Sequence, residues 1–467
     1  MPLGVRATGS SARHTSTSSL AEAPVWKTPI AKNPVCVPSR YSIATGQYSR
    51  TLGVYDNRQL FDPSSITIAQ VFSEAGYRTC LIGKAHYNGE QFQGYQERPY
   101  GDLWGQGHQP DPCRMPGKGE SSYGPLLKQA GPSGIPRLLM QTEICAYETV
   151  RWLQTHIAQY PGKPFFLSLH YEKPHYPLNP PARYYEYYRN RVKLPPVRKD
   201  PFRDLPPSVQ QFCRSGRFYE SGPDFKPTAE LHRKALAAYY GCVEWVDDSI
   251  GNVLDALEYL GLAENTIVVY TSDHGEMAAE HGLWQKILFY EASARVPLMI
   301  RWPGRIKPSH RHEIVGLIDL FPTLCEAAGV PLPAGRDGVS LFPTLVRGAR
   351  LRRDGVFSEN LFSRPEHGNL GAGCMLRTGR WKYNLYLDGG EELYDLETDP
   401  EEWRNLTGSK RHVKTLAALR QRVRAFWKPE EFEQRLCSVP RVRKAKHAFE
   451  YSNQYVVGNG IIVNARP

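Results

Sequence analysis

A long amphipathic helix followed by a buried strand is the feature that most restricts the fold of this chain. From Leu236 to Leu260 the apolar residues recur every three or four positions, which is the period of a helix with one buried face. The apolar runs Thr266–Thr271 and Val296–Ile300 then predict two buried strands. Strands joined by helices of this length indicate an α/β fold with a mostly parallel sheet flanked by helices.

The same alternation of helices and strands occurs earlier and later in the sequence. The further predicted elements are two strands and two helices, at Thr79–Ile82, Phe165–Leu169, Ile66–Ala75 and Asp319–Ala328. Two stretches rich in glycine or proline, Gln91–Pro136 and Leu194–Pro227, show no regular pattern. Long irregular insertions usually surround a functional site, so we expect these two stretches to form its rim.

The last quarter of the chain has a different pattern. Trp381–Tyr386 and Glu392–Leu396 predict strands of a small antiparallel sheet, and Leu416–Phe426 predicts a helix that covers it. We therefore divide the chain into a catalytic domain, a C-terminal antiparallel α+β subdomain and a basic tail, over residues 1–345, 346–430 and 431–467.

Charge and hydropathy restrict the classes of partner. The formal net charge of +11 would attract an anionic substrate, although much of the excess lies in dispersed patches such as Arg350–Arg353 and Arg441–Lys446. The basic residues show no interleaved aromatic pattern, so no nucleic-acid partner is predicted. No apolar run reaches about eighteen residues, so no membrane span is predicted. The polar N-terminal segment lacks the apolar core of a secretory signal, which favours a cytoplasmic location.

The segment CVPSR at Cys36–Arg40 is the most specific motif of the sequence. Pro38 fits the first turn of a helix and Gly46 fits its end. Cys36 would then lie at a helix N-terminus, where free backbone N–H groups favour an anion. An isolated cysteine is more often a buried packing residue, but the proline and arginine beside Cys36 make a functional role the better interpretation.

Other polar residues follow the predicted strands, at the ends where parallel sheets bind their ligands. Lys84 and His86 come just after the strand Thr79–Ile82. His175 follows the strand Phe165–Leu169 and lies between two prolines, which restrict its backbone. We expect these three side chains to face one crevice, although each taken alone would more often be a loop residue.

A third group surrounds the strand Thr266–Thr271. Asp273 and His274 follow this strand directly, and adjacent oxygen and nitrogen ligands at a strand end suit a divalent cation. Lys286 lies further along the same segment. Asn57 lies between the first two motifs, where a simple turn residue is one interpretation.

Taken together, these segments resemble the formylglycine-dependent (type I) sulfatases of the alkaline phosphatase superfamily. The resemblance runs from about Asn33 to Leu406. The pairing of Asp273 with a histidine, and the position of Asn57, are similar to the choline-sulfatase and phosphonate-hydrolase branches. Lys84 and its neighbour His86 favour the sulfatase side, because phosphonate hydrolases have uncharged or aromatic residues at these positions.

The resemblance implies a sulfuric ester hydrolase that acts on a small sulfate ester. Cys36 would be converted to formylglycine by a formylglycine-generating enzyme, and the hydrated aldehyde would attack sulfur and form a covalent ester. Arg40 and Lys84 would hold the attacking oxygen. His86 would act as the base that releases sulfate.

The resemblance also assigns the residues that contact the substrate. Lys286 and His175 would balance charge on the sulfate and protonate the leaving oxygen, and Asn57 would supply a further hydrogen bond. A phosphonate or phosphodiester hydrolase on the same fold stays an alternative. The resemblance does not specify the alcohol portion of the substrate or whether the protein forms a homo-oligomer.

A divalent metal is implied as well, calcium first, with manganese or magnesium as alternatives, held by Asp273 and His274. Family members begin with a buried strand that ends in an acidic pair, but nothing in residues 1–32 predicts such a strand. The two remaining ligands are too few for a cation that takes about six oxygens. We expect either a shortened form of an active enzyme or a non-catalytic anion-binding relative, with a weakened sheet in both cases.

Overall fold

The structure is a computed structural model that describes residues 23–432 apart from 58, 60–61, 63, 88–91, 102–125, 216–224 and 361–371, together with the backbone of 454–457 and 461–464. The α-helices, α1 to α12, are Cys36–Thr45, Ser49–Leu52, Ile68–Glu74, Leu126–Gln129, Gln141–Gln159, Ala182–Tyr188, Pro207–Arg214, Ala229–Tyr259, Glu291–Ala294, Leu320–Ala328, Phe342–Arg347 and Val413–Phe426. The strands, β1 to β15, are Val25–Trp26, Pro29–Ile30, Arg78–Gly83, Glu97–Tyr100, Phe165–His170, Val268–Thr271, Leu298–Arg301, His310–Arg311, Val315–Gly316, Gly355–Asn360, Gly373–Thr378, Trp381–Tyr386, Glu391–Asp395, Gln454–Val457 and Ile461–Asn464.

Two sheets of the larger part of the chain carry the strands that end at the site. The first has the order β4–β3–β5 and is wholly parallel, with β3 and β5 in register over their full lengths. The second has the order β6–β7–β1–β8, and β7 runs antiparallel to both of its neighbours. The predicted α/β class with flanking helices is confirmed, and the second sheet is mixed.

The N-terminal region contains two short strands that the sequence did not predict. β1 pairs with β7 through Val25 and Met299, and β2 pairs with β9. Trp26 and Ile30 are buried. The sequence predicted neither strand, because a strand of two residues is too short to show an apolar alternation, and neither strand is followed by an acidic pair. Residues 1–22 lie outside the described residues.

The stretches expected to be irregular also contain regular elements. β4 and α4 lie in Gln91–Pro136, and α7 lies in Leu194–Pro227. The long helix α5 was not predicted, since its apolar positions are separated by polar ones such as Gln141 and His156 that are buried as well. Among the described residues, no helix combines the length and the apolar character needed to cross a bilayer.

The C-terminal part agrees with its prediction. Strands β10 to β13 form an antiparallel sheet in sequence order, and α12 packs on it through Leu416, Leu419 and Val423. β14 and β15 form a separate antiparallel pair. The rest of the predicted basic tail, from 433 onward, lies outside the described residues.

Candidate active site

The site is built around the first turn of α1, which begins at Cys36. The preceding residue Val35 is extended, Pro38 lies in the first turn, and Gly46 ends the helix with a left-handed φ of 67°. This is the helix that the sequence predicts. Cys36 is buried and is the first residue of α1, whose first N–H groups lack helical partners.

Asn57 caps this helix from the following loop. Its Oδ1 accepts a hydrogen bond of 3.0 Å from the backbone N–H of Val37. A helix leaves its first four N–H groups without helical partners, and Asn57 satisfies one of them. The structure therefore shows Asn57 as a residue that supports α1, while its predicted contact with the substrate stays a prediction.

Replacing Asn57 with alanine is expected to lower the free energy of unfolding by about 1 kcal/mol, the usual cost of a lost helix cap. Asn57→Asp retains an oxygen acceptor, and its negative charge is favourable at a helix N-terminus, so it should keep most of that stability. Chemical denaturation of both variants measures the difference. Equal losses in the two variants would show that the hydrogen bond to Val37 does not stabilise the helix.

Three nitrogen-bearing side chains surround the thiol of Cys36. Its Sγ lies 3.1 Å from Nε2 of His274. Burial raises the pKa of the Cys36 thiol, but Lys286, His274 and His175 together outweigh burial and bring this pKa well below its ordinary value. In the unmodified chain, the side chains around the Cys36 sulfur stabilise negative charge at this position. The surroundings of Cys36 therefore favour an anion.

His274 is fixed in orientation by a second hydrogen bond. Its Nδ1 donates to the backbone oxygen of Gly275 at 2.8 Å, which leaves Nε2 to face Cys36. Burial lowers the pKa of His274, and the negative charges of Asp273 and Cys36 outweigh burial and raise it. The ring can therefore carry a positive charge against an anion at Cys36.

Arg40 joins the ends of three strands. Its Nε donates to Asp273 Oδ2 at 2.8 Å, and its Nη1 donates to the backbone oxygen of Lys84. Nη1 also lies 3.4 Å from Nδ1 of His170. Burial raises the pKa of Asp273, but the Arg40 guanidinium outweighs burial and holds it well below its usual range. Asp273 therefore stays ionised beside Arg40. Its backbone oxygen also accepts a hydrogen bond of 2.5 Å from Ser39.

Lys84 is buried together with a carboxylate that the sequence analysis missed. The ammonium of Lys84 lies 3.7 Å from Glu172 Oε1, and each side chain is only 2% exposed. Glu172 follows β5 by two residues, and His170 is the last residue of β5. The rule that selected Lys84, a polar residue just past a strand end, would also have selected these two residues.

His175 and Lys286 are joined by a hydrogen bond between their side-chain nitrogen atoms. Nδ1 of His175 donates to the backbone oxygen of Tyr176 at 3.0 Å, and its Nε2 accepts from the Lys286 ammonium at 3.3 Å. Burial and the charges of Lys84 and Lys286 lower the pKa of His175 well below its ordinary value. His175 is therefore neutral beside an ammonium group.

Most of the predicted site residues are thus linked by contacts around Cys36. The linked residues are Arg40, Lys84, His175, Asp273, His274 and Lys286. His86 is half-buried, with a left-handed φ of 57°, two residues beyond Lys84. The role of His86 as a base stays a prediction, as do the chemical roles of the others.

The residues present offer only part of a metal site. Among the described residues, Cys36, Asp273 and His274 form the one group of three or more possible ligands whose ligand atoms lie within 4.8 Å of one another. If Cys36 is converted to an aldehyde, two protein ligands are left, and Asp273 already accepts a hydrogen bond from Arg40. A hard cation such as Ca²⁺ takes about six to eight oxygens. These residues therefore do not fit a complete calcium site.

Comparison with known proteins supports the assignment from the motifs. The family model described as Sulfatase matches residues 4–330, and the model for the C-terminal region of N-sulphoglucosamine sulphohydrolase matches residues 279–428. The first match begins before Asn33, where the motif resemblance starts. Choline-sulfatase of Rhizobium meliloti (strain 1021) is 32% identical over 417 residues, which cover 86% of this chain and 79% of that protein.

Two solved structures share the fold. A phosphonate monoester hydrolase from Silicibacter pomeroyi has a TM-score of 0.72 and 25% identity, covering 97% of this chain and 94% of its own. A protein solved with its substrate D-glucosamine-2-N,6-O-disulfate has a TM-score of 0.70 and 25% identity, covering 91% and 93%. Members of the sulfatase family generally use a metal and a formylglycine. The chain therefore belongs to the sulfatase family, in the alkaline phosphatase superfamily of enzymes.

Proposed function

We propose that this chain hydrolyses a small organic sulfate ester and that Cys36, converted to formylglycine by a formylglycine-generating enzyme, supplies the nucleophile. The observation that carries the proposal is the surroundings of Cys36. It begins a helix, lies 3.1 Å from His274 Nε2, and has its pKa lowered by Lys286, His274 and His175 against the effect of burial. Such a site stabilises negative charge on a bound oxyanion.

The modified residue supplies a hydroxyl nucleophile, as the hydrate of its aldehyde. Two cations of the chain are placed to stabilise charge near this position. Arg40 is held rigidly by Asp273 and by the backbone oxygen of Lys84, and Lys84 is buried. Charges that are already oriented in a buried site stabilise a developing oxyanion without reorganisation. Lys286, on the side of His175, would neutralise the transferring sulfate.

Lys286 and His175 would protonate the leaving alcohol. The Lys286 ammonium donates a hydrogen bond to Nε2 of His175, and the two nitrogens are 3.3 Å apart. A leaving oxygen that reaches this pair can take the proton of this hydrogen bond as its bond to sulfur breaks.

His175→Ala is expected to lower kcat by about 10²-fold for an alkyl sulfate, whose alkoxide needs a proton, and by less than about tenfold for 4-nitrophenyl sulfate. Steady-state kinetics on both substrates measures the contrast. The matched control is His310→Ala, which removes an exposed histidine on β8 and should leave both rates unchanged. Equal losses on the two substrates would exclude His175 from the leaving-group side.

The second candidate function is phosphonate monoester hydrolysis, which is favoured by the similarity to the enzyme from Silicibacter pomeroyi. The test compares kcat/KM for 4-nitrophenyl sulfate and for 4-nitrophenyl phenylphosphonate, which share one leaving group. A higher value for the sulfate supports the proposal, because Lys84 and His86 favour the sulfatase branch. A higher value for the phosphonate would support the second function instead.

Asp273 and His274 would supply two of the ligands of a divalent metal. Because these two ligands do not complete a site, we propose that a divalent cation, calcium first and manganese or magnesium as alternatives, binds there only with further oxygen atoms from the substrate or water. A calorimetric titration with Ca²⁺ tests the assignment. If no cation binds below about millimolar concentration and no ester is hydrolysed, the chain is a non-catalytic anion-binding member of the family.

A further inference from the structure

One carboxylate lies between the two segments that carry the leaving-group pair, His175 and Lys286. Oε1 of Glu276 accepts a hydrogen bond of 2.9 Å from the Tyr176 hydroxyl and a second one from the backbone N–H of Gln285. Tyr176 directly follows His175, and Gln285 directly precedes Lys286. A single oxygen atom therefore joins the immediate neighbours of both members of the pair, which are 111 residues apart in the sequence.

The groups around this oxygen also contact each other. The backbone N–H of Gln285 lies 3.2 Å from the Tyr176 hydroxyl oxygen, so each of the three groups contacts the other two. Tyr176 and Gln285 are buried. A buried donor that loses its acceptor cannot replace it freely with bulk water. The carboxylate of Glu276 therefore holds the two segments together at this point.

The backbone on either side of Lys286 has an uncommon conformation. Gln285 and Ile287 have left-handed φ angles of 68° and 96°. Such angles are uncommon for residues with a side chain, and a β-branched residue such as isoleucine is an outlier there. A strained backbone persists only where the surrounding structure holds it. The backbone oxygen of Ile287 accepts a hydrogen bond of 2.7 Å from Asn360, and the N–H of Gln285 donates to Glu276. Glu276 is thus one of the contacts that keep Lys286 in place.

The leaving-group pair needs accurate placement. A proton is transferred across about 2.6–3.2 Å, and the Lys286 ammonium lies 3.3 Å from Nε2 of His175. Nδ1 of His175 donates to the backbone oxygen of Tyr176 at 3.0 Å, so Tyr176 orients the ring and Glu276 holds Tyr176. A displacement of about 1 Å can lower a rate by about 10²-fold. The hydrogen bonds of Glu276 therefore bear on both nitrogens of the pair.

We propose that Glu276 is a positioning residue for sulfate ester hydrolysis, whose Oε1 keeps Lys286 and His175 within reach of the sulfate and of the leaving oxygen. This role rests on the proposed function. It requires an oxygen acceptor rather than a negative charge, because a hydroxyl and a backbone N–H can donate to either a carboxylate or an amide oxygen. Glutamine at this position supplies such an oxygen, and alanine does not.

Steady-state kinetics of the full chain on an alkyl sulfate and on 4-nitrophenyl sulfate tests this role. Glu276→Ala is expected to lower kcat for the alkyl sulfate by about 10²-fold, and by less than about tenfold for 4-nitrophenyl sulfate, whose leaving group needs no proton. Glu276→Gln should retain most of both rates. Adding Glu276→Ala to His175→Ala should lower kcat by less than about threefold further, because residues that act as a unit do not have additive effects.

The matched control is Glu391→Ala. Glu391 also accepts a hydrogen bond from a tyrosine hydroxyl, that of Tyr383, and one from Arg420, but all three residues belong to the C-terminal part. Its replacement should leave kcat for both esters unchanged. Equal losses in Glu276→Gln and Glu276→Ala would overturn the positioning role. So would a double variant in which the two losses multiply, since independent effects add in free energy.

The affinity for free sulfate, measured by calorimetry, separates this role from ester hydrolysis. Glu276→Ala should bind sulfate about tenfold more weakly, because a displaced Lys286 loses its charge-assisted contact with the anion, and Glu276→Gln should bind it like the wild type. If the wild type hydrolyses neither ester but the variants show this pattern, the proposed function is wrong and the positioning role stands. An unchanged affinity in Glu276→Ala would overturn the positioning role whether or not the esters are hydrolysed.

Discussion

Cys36→Ala is expected to lower kcat for 4-nitrophenyl sulfate by about 10⁴-fold or more, because removal of a covalent nucleophile causes losses of this size. The fold should persist, since the change removes one sulfur atom from a buried side chain. The variant should also keep the cations that bind the anion. Its affinity for free sulfate, measured by calorimetry, should therefore remain while turnover is lost.

The matched control is Cys374→Ala. Cys374 is also a free, buried cysteine, but it lies on β11 in the C-terminal sheet. Its replacement should cost some stability and leave kcat unchanged, since among the described residues it packs with Leu376 and Leu419 in the C-terminal part. A Cys36→Ala variant that retains wild-type turnover would show that another residue is the nucleophile.

Arg40→Ala has the largest expected effect on stability, a loss of about 3–5 kcal/mol in the free energy of unfolding. The change removes the guanidinium that pairs with Asp273 at 2.8 Å, where the two side chains are only 13% and 14% exposed. It leaves a carboxylate in a poorly hydrated place without its main partner. Urea denaturation of the variant and the wild type at pH 7 measures the loss.

The loss from Arg40→Ala should also depend on pH. Arg40 holds the pKa of Asp273 below its usual range in the folded protein, so the pair stabilises the fold above the unfolded pKa of about 3.9. This stabilisation is lost as pH falls below that value. The difference between wild type and variant should therefore shrink at low pH.

The control for this prediction is Arg189→Ala, which breaks an ion pair with Glu186 whose side chains are 59% and 52% exposed. Its expected cost is below about 1 kcal/mol, because surface pairs are hydrated and screened. If Arg40→Ala costs no more than Arg189→Ala, the pair of Arg40 and Asp273 does not hold the strand ends together.

The sequence predicted best those elements whose own apolar period is strong. Trp381–Tyr386 was predicted at its observed bounds, and the helix predicted for Leu236–Leu260 ends one residue past the observed end of α8 at Tyr259. The two-residue strands β1 and β2 are formed by distant partners such as Met299. Their pairing is set by the tertiary structure, so no local pattern could reveal it.

The residues of the site also differ in how well the sequence predicted them. Residues inside compact motifs, such as Arg40 and Asp273, could be named from the sequence, and the structure brings them within 2.8 Å. Glu172 lies two residues past β5, so the strand-end rule could have selected it, but no pattern in the sequence indicated that it would be buried. Its burial beside Lys84 depends on the pairing of β3 with β5, which only the folded chain shows.

We expect the side chain of residue 36 to become the reacting group of the anion-binding site. Mass spectrometry of the peptide containing Cys36, after coexpression with a formylglycine-generating enzyme, tests this claim most directly. The expected result is an aldehyde at position 36 that reacts with a hydrazide probe, with the other cysteines unchanged. An unmodified thiol at Cys36 in every molecule of an active preparation would contradict the claim.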